Sequence, residues 1–158
     1  VVQEVLSDLE TSIAESRAQV QIDQLPTLEA DPLQMRQLMQ NLISNAIKFH
    51  RPGEDVRVHI FADGGDGPEG ITGDMVRIHV QDNGVGFDLR HLDRIFQPFE
   101  RLHGRGTFKG SGIGLALCRK IAERHQGSIT AVSAPGEGST FTILLPRRQS
   151  PAVSDEDL

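Results

Sequence analysis

Two stretches of the chain, residues 56–61 and 76–81, carry aliphatic side chains at every second position. A period of two predicts a strand with one buried face. Residues 63–73 between them are rich in Gly and Asp, and their spacing is wrong for an EF-hand calcium loop, so we interpret them as a hairpin loop. A chain with these strands must build a sheet and cover one face of it.

Apolar patterns at helical spacing predict the elements that supply this cover. Asp31 followed by Pro32 predicts a helix start, because an acidic N-cap and a proline at the first helical position are both favoured there. In chain order the predicted elements are helix 2–18, strands 19–22 and 27–29, helix 31–49, strands 56–61 and 76–81, helix 112–125, and strands 129–132 and 140–145. Short links between successive strands indicate an α+β fold: a two-layer α/β sandwich with a mixed, mostly antiparallel sheet of about five strands and about three helices on one face.

The composition excludes several classes of function. The net charge is −6, from 16 Lys and Arg against 22 Asp and Glu, and Trp and Tyr are absent, which argues against nucleic-acid binding. The single cysteine, Cys118, lies in an apolar helical pattern, so we expect a buried side chain rather than a nucleophile. No apolar run approaches the roughly 20 residues of a membrane span.

The two ends of the chain bear on its domain organisation. It starts with Val1 rather than Met, so we interpret it as a fragment of a longer protein. Its 158 residues suit one domain, which we place at residues 1–146. Residues 147–158 are polar and end in acidic side chains, which predicts a disordered tail.

The helix at 31–49 carries Asn41, Asn45 and Lys48 at positions i, i+4 and i+7, so they share one face opposite the apolar stripe. Such a face is usually solvated. Asparagine weakens a helix interior, however, and solvent exposure alone gives no reason to select it. The alternative interpretation is functional: an amide oxygen suits Mg²⁺, and a lysine suits phosphate.

A short polar motif, residues 82–87, follows the second strand. Its Asn-Gly pair is a strong turn signal. A functional interpretation is also open, in which Asp82 is held at the strand end and accepts a hydrogen bond from an exocyclic amine such as that of adenine. Gly84 and Gly86 would let the backbone approach that ligand closely.

A glycine-rich segment, residues 110–115, opens the helix at 112–125. Free N–H groups at a helix N-terminus form an anion site, although an ordinary capping loop is the simpler explanation. The basic side chains of Arg101, Arg105 and Lys109 lie just upstream. The spacing matches neither the dinucleotide fingerprint nor the P-loop.

Taken together, these elements resemble the GHKL ATPase superfamily, which includes gyrase, heat-shock chaperone, mismatch-repair and histidine-kinase ATP-binding domains. Residues 41–49 resemble its N box, 82–87 its G1 box, and 95–102 the F box of histidine kinases. Residues 110–118 resemble the G2 box, and 138–141 are similar to the final hairpin. Each box alone is a weak signal, but their order and spacing together are specific.

The resemblance implies a set of ligand contacts for ATP and Mg²⁺. Asp82 would bind the adenine amine, with Gly84 and Gly86 beside it and Thr140 nearby. Asn45 would hold Mg²⁺.

At the phosphate end, the resemblance implies that Asn41 and Lys48 approach the phosphates, and that Arg101 belongs to a flexible ATP lid with residues 104–109. These three side chains would serve the reaction itself. The backbone N–H groups implied to cradle phosphate are those of Gly110, Gly112, Gly114 and Leu115.

Position 41 distinguishes between reactions within the superfamily. In the ATP-hydrolysing members the corresponding residue is a glutamate, which can activate water. Asn41 is no base at neutral pH, so the resemblance implies phosphoryl transfer to a histidine, whose imidazole is already nucleophilic there. An ATP-hydrolysing module with another base, and a degenerate docking domain that binds no nucleotide, remain as alternatives.

The phosphoacceptor of such kinases follows a His-(Glu/Asp) pattern, and none of the six histidines here precedes Glu or Asp. We therefore predict that the chain does not phosphorylate itself. The implied partners are upstream dimerisation and histidine-phosphotransfer helices and a downstream response-regulator receiver domain. The resemblance further implies a cytoplasmic domain, monomeric alone but part of a homodimeric parent.

Overall fold

The computed structural model describes residues 2–10, 13–14, 17–26, 28–48, 53–64, 75–86, 95–96 and 114–147. The helices of this part are α1 (Val2–Asp8), α2 (Pro32–Lys48) and α3 (Gly114–Arg124). The strands are β1 (Gln19–Ile22), β2 (Arg57–Gly64), β3 (Met75–Asp82), β4 (Ser128–Ala134) and β5 (Gly138–Pro146). Among the described residues, no helix has the length and apolar character to span a bilayer.

The five strands form one sheet in the order β1-β2-β3-β5-β4. β1 runs parallel to β2, and the other three neighbouring pairs are antiparallel. Parallel neighbours need a long connection, and α2 lies within the one that joins β1 to β2. The predicted α+β fold, with its mixed and mostly antiparallel sheet and three helices, is confirmed.

The core lies between the helices and one face of the sheet. Ile60, Val80 and Phe141 lie side by side on β2, β3 and β5, and each is buried. The alternating pattern therefore places its aliphatic positions under the helices, as predicted. The buried residues of α2 that complete the core are Met35, Leu38, Met39, Leu42, Ile43, Ala46 and Ile47.

The start of α2 matches its sequence signal. Asp31 Oδ1 accepts hydrogen bonds from the backbone N–H groups of Leu33, at 2.9 Å, and Gln34, at 3.1 Å. These are two of the four N–H groups that a helix leaves without partners at its N-terminus. The predicted N-cap is therefore confirmed.

A buried histidine joins the end of α3 to the start of α2. His125 Nδ1 lies 2.8 Å from the Ile121 carbonyl oxygen, and Asp31 N donates to His125 Nε2 at 3.1 Å. Since Nε2 accepts, Nδ1 carries the proton and the ring is neutral in this arrangement. The His125 side chain thus links the end of α3 to the start of α2, the helices that carry the predicted G2 and N boxes.

We expect His125→Ala to lower the free energy of unfolding by about 2–4 kcal/mol, because it leaves a cavity and removes a partner from the buried Ile121 carbonyl and from the partly buried Asp31 N–H group. Urea unfolding followed by circular dichroism measures this. His59→Ala serves as the control, since His59 is partly exposed, and it should cost about 1 kcal/mol or less. Equal losses in the two variants would contradict the role given to His125.

The opposite face of the sheet carries paired polar side chains. His59 Nε2 lies 3.0 Å from Asp23 Oδ2, and His79 Nε2 lies 2.9 Å from Asp63 Oδ2. The ring of Phe61 contacts both imidazoles, with centroid separations of 4.6 and 4.7 Å. The two histidines thus lie on the outward face of β2 and β3, opposite the buried aliphatic positions.

Two local predictions differ from the structure. The first helix was expected over residues 2–18. α1 ends at Asp8, but Glu10, Ile13 and Ala14 are again helical, and Arg17 has a positive φ of 55° before β1 begins. The expected strand at 27–29 is also wrong, because Leu28 and Glu29 are irregular. Because β1 is an edge strand parallel to β2, the chain after it must leave the sheet to reach α2. This requirement overrides the local strand propensity of residues 27–29.

Candidate functional site

The carboxylate of Asp82 faces the helix layer. Asp82 ends β3 and follows the alternation of the buried residues Val76, Ile78 and Val80. Alternate side chains of a strand point to the same face, so the Asp82 side chain lies on the side that α2 and α3 cover. The structure therefore brings the end of β3 to the same side as the polar stripe of α2.

One oxygen of the Asp82 carboxylate accepts two hydrogen bonds from the backbone. Oδ1 accepts hydrogen bonds from Gly84 N, at 2.8 Å, and from Ser139 N, at 3.3 Å. The described residues include no hydrogen-bond donor to Oδ2. Burial raises the pKa of Asp82 to about 6, although the two backbone N–H groups act to lower it. Asp82 is thus ionised at neutral pH, and no donor within the described ranges occupies its Oδ2.

The turn after Asp82 interlocks with the β4–β5 hairpin. Gly136 N donates to the Val85 carbonyl oxygen at 2.6 Å. Gly86 has a φ of +67°, and a Cβ there would lie 2.1 Å from the Ala134 carbonyl oxygen. Only glycine fits at position 86 for both reasons. We call residues 82–86 together with 134–139 the clasp.

Gly138 makes the closest approach within the clasp. A Cβ at this residue would lie 2.2 Å from the Asp82 carbonyl oxygen and 3.0 Å from Asn83 Cα. Its φ of +87° also disfavours any other residue. The hairpin backbone therefore lies directly against the backbone that carries the carboxylate.

A buried pair of hydroxyls supports the hairpin. Ser133 Oγ donates to the Gly138 carbonyl oxygen at 2.9 Å and lies 2.8 Å from Ser139 Oγ. Ser139 pairs with Asp82 across the two strands, whereas Thr140 pairs with Gln81. The alternation thus places Ser139 beside Asp82 and Thr140 on the outer face of the sheet, so the structure does not bring Thr140 to Asp82.

Asn41 lies against the start of α3. A Cβ on Gly114 would lie 3.7 Å from both Cγ and Oδ1 of Asn41. Asn41 Nδ2 is buried, and it has no hydrogen-bond partner among the described residues. The predicted N box and G2 box therefore meet in space, with an unused N–H donor at their junction.

Cys118 lies one turn further along α3 and has no exposed surface. Burial raises the pKa of its thiol to about 12, and the thiol donates a weak hydrogen bond to the Leu38 carbonyl oxygen at 3.8 Å. The thiol thus stays protonated, and the predicted burial of Cys118 is confirmed.

The other two polar side chains on this face of α2 suit a ligand that contains Mg²⁺ and phosphate. Asn45 and Lys48 are half-buried in the last turns of α2. Gly114 and Leu115 begin α3, where backbone N–H groups have no partner inside the helix. No group of three or more His, Cys, Asp or Glu within the described ranges could hold a metal ion. An Asn oxygen with phosphate and water oxygens is a donor set that Mg²⁺ accepts.

Only two residues of the predicted F box are described, and both are buried: Ile95 and Phe96. The Phe96 and Phe141 rings are edge-to-face, with centroids 6.3 Å apart. The Arg119 guanidinium lies 6.0 Å from the centroid of the Phe96 ring. Several predicted features lie outside the described residues: Arg101, the lid at 104–109, Gly110, Gly112 and the tail from residue 148.

The fold and the arrangement of the site define a two-layer α/β domain of the GHKL type. The chain belongs to the family described as Histidine kinase-, DNA gyrase B-, and HSP90-like ATPase, whose model matches residues 30–149. Its relatives in sequence include sensor histidine kinases, and the solved structures similar to it include catalytic domains of histidine kinases.

Two relatives illustrate the similarity in sequence. The phytochrome-like protein Cph1 of Synechocystis is 44% identical over 146 residues, which cover 92% of this chain and 18% of that protein. The sensor histidine kinase RcsC of Escherichia coli is 40% identical over 122 residues, which cover 75% of this chain and 12% of that protein. The chain thus spans less than a fifth of the length of these relatives.

Solved structures agree with the sequence relatives. The nucleotide-free catalytic domain of the histidine kinase ThkA matches with a TM-score of 0.71 at 26% identity, covering 93% of this chain and 92% of that one. Full-length ShkA in complex with AMPPNP matches with a TM-score of 0.75 at 26% identity, covering 96% of this chain and 30% of that one.

Sequence reasoning missed three residues of the site. Gly138 and Ser139 were placed in the final hairpin without a role, and Asn83 was considered only as a turn residue. For the hairpin the missing information was the register that sets Ser139 opposite Asp82. Strict alternation along β5 could have assigned Ser139, rather than Thr140, to the helix-facing side.

Proposed function

We propose that this domain binds Mg-ATP and presents the γ-phosphate to a histidine on a separate dimerisation and phosphoacceptor domain of a two-component sensor kinase. The observation that carries the proposal is the helix-facing Asp82 carboxylate, with Oδ1 held by two backbone N–H groups. Family membership makes an adenine nucleotide the expected ligand of such a group. The AMPPNP complex of the similar protein ShkA supports the same ligand class.

At the adenine end, Asp82 would accept a hydrogen bond from the exocyclic amine through Oδ2, since an ionised carboxylate can only accept. Gly84 and Gly86 keep the backbone beside it free of side chains. Ser139 takes the place next to Asp82 that the family resemblance gave to Thr140.

At the phosphate end, Asn45 would supply an amide oxygen to Mg²⁺, while Lys48 and the start of α3 would donate to phosphate oxygens. When bound, Mg²⁺ neutralises charge on the phosphates as the phosphoryl group is transferred. Arg101, Gly110 and Gly112 join this part of the site by resemblance.

The chemistry after binding depends on Asn41. Its Nδ2 donor is buried and has no partner among the described residues, so it suits a phosphate oxygen, and an amide does not deprotonate water at neutral pH. Steady hydrolysis is therefore slow, and the γ-phosphoryl group is kept for an acceptor that needs no base. A neutral imidazole is such an acceptor.

The acceptor histidine and the receiver of its phosphoryl group belong to other domains in this proposal. The parent dimerises through its phosphoacceptor helices and passes the phosphoryl group to a response-regulator receiver domain. The domain works in the cytoplasm, where ATP is supplied.

We expect the chain alone to bind ATP more tightly with Mg²⁺ than without it, and to form no phosphohistidine. Addition of the parent's phosphoacceptor hairpin should produce phosphohistidine on the hairpin. Calorimetry measures the first result, and radiolabel from γ-labelled ATP, resolved by gel and tested for acid lability, measures the second.

Asn45→Ala should remove the Mg²⁺ dependence, because the metal loses its protein ligand. Lys120→Ala is the matched control, since Lys120 is exposed on α3 and belongs to no part of the site. Steady ATP turnover by the chain would favour a hydrolysing module instead. Absence of nucleotide binding would favour a degenerate docking domain, and phosphohistidine on the chain alone would contradict the proposal.

A further inference from the structure

Asn83 makes two hydrogen bonds to a distant part of the backbone. Its Oδ1 accepts from Arg57 N at 2.8 Å, and its Nδ2 donates to the Asp55 carbonyl oxygen at 2.9 Å. Both polar atoms of the side chain are therefore committed to the segment that leads into β2.

These bonds replace the next step of a β-ladder. Val58 pairs with Asp82 as the last backbone pair between β2 and β3. Along a strand, the N–H of one residue and the carbonyl two residues before it point to the same edge, where a neighbouring strand would bond both. The Asn83 side-chain amide occupies that position. The hydrogen-bond pattern of the ladder thus continues through the Asn83 side chain, while the main chain after Asp82 turns away from the sheet.

The direction of that turn sets the surroundings of Asp82. Gly84 follows Asn83 directly, and its N–H is the nearer of the two donors to Asp82 Oδ1. On the other side, Asn83 Cα is 3.0 Å from where a Cβ of Gly138 would lie, so the backbone there is already packed against the hairpin. The side chain of Asn83 restrains the same turn from the β2 side.

We propose that Asn83 is a positioning residue for adenine recognition, which holds the backbone turn that delivers Gly84 N to the Asp82 carboxylate. This inference rests on the proposed function, because it assigns a purpose to the geometry of the Asp82 site. Asn83 acts through Asp82 and makes no contact with the nucleotide itself.

The test compares Asn83→Ala with Gln81→Ala. Gln81 carries an amide of the same kind two residues away, but it is exposed on the outer face of the sheet. In Asn83→Ala we expect affinity for ATP to fall about ten-fold at pH 7.5, because Gly84 N is no longer held against the Asp82 carboxylate, while affinity for GTP, which lacks the adenine amine, changes less. Gln81→Ala should leave both affinities unchanged.

A second readout needs no nucleotide. Loss of the Gly84 N–H bond removes an influence that lowers the pKa of Asp82, so NMR titration of its carboxyl should place the midpoint at higher pH in Asn83→Ala than in the wild type. An unchanged midpoint, or equal losses for ATP and GTP, would overturn the inference. If the wild type binds no nucleotide, the proposed function fails while the shifted midpoint still supports the positioning role.

Discussion

Asp82→Asn is expected to weaken ATP binding strongly and, at the same time, to stabilise the nucleotide-free domain above pH 6. The asparagine Oδ1 can still accept from Gly84 N and Ser139 N. Its Nδ2, however, places a donor where the adenine amine needs an acceptor. We expect affinity to fall by about 100-fold or more, as for loss of a hydrogen bond to a charged group with a donor left unpaired.

The gain in stability follows from the pKa of the carboxyl group. Burial raises it from 3.8 to about 6, so the folded domain bears the cost of a desolvated charge above that pH. The favourable effect of the neutral form is fully present below pH 3.8 and is lost as the pH rises through 6. Asparagine is neutral throughout. The variant should therefore gain up to about 3 kcal/mol at pH 7–8, the free energy equivalent of that pKa difference.

Urea unfolding of both proteins between pH 4 and pH 8, without nucleotide, measures this gain. The difference in free energy of unfolding between the variant and the wild type should become smaller as the pH falls through 6. Asp63→Asn is the matched control, because Asp63 lies on the outer face and pairs with Arg77 and His79. It should leave nucleotide affinity unchanged and should not stabilise the domain. A destabilised Asp82→Asn at pH 8 would contradict the burial of a charged carboxylate.

Gly138→Ala is expected to destabilise the domain by about 3 kcal/mol or more, against about 1 kcal/mol for Gly136→Ala. Both glycines have positive φ, of +87° and +78°. A Cβ at Gly136 would meet nothing within 4 Å, whereas at Gly138 it would lie 2.2 Å from the Asp82 carbonyl oxygen. The pair of variants therefore separates backbone strain from the collision inside the clasp.

Thermal unfolding should place the midpoint of Gly138→Ala about 6–12 °C below the wild type, and that of Gly136→Ala about 2–4 °C below it. ATP affinity should fall in Gly138→Ala beyond what its fraction of folded protein explains, because the backbone of Asp82 must move. Gly136→Ala should bind as the wild type does. Equal midpoints for the two variants would contradict the steric argument.

Much of this fold could be predicted because its signals are local. A period of two in β2 and β3, a helical stripe in α2 and the Asp31 N-cap each depend on a few neighbouring residues. The polar candidates were found in the same way, since Asn41, Asn45 and Asp82 stand out against the apolar pattern around them. Recognition of the family also needed only the order and spacing of such motifs.

The relations between those motifs depend on residues far apart in the chain, and local patterns do not contain them. Strand register sets Ser139 rather than Thr140 beside Asp82, and it gives Gly138 its contact with the Asp82 backbone. The links from His125 to Asp31 and from Asn83 to Arg57 likewise depend on the packing of separate elements. Local periodicity thus specifies which elements form and which polar side chains are unusual. Only the close-packed tertiary structure decides which of them meet, because a contact across the sheet depends on register and on distances of a few tenths of an ångström.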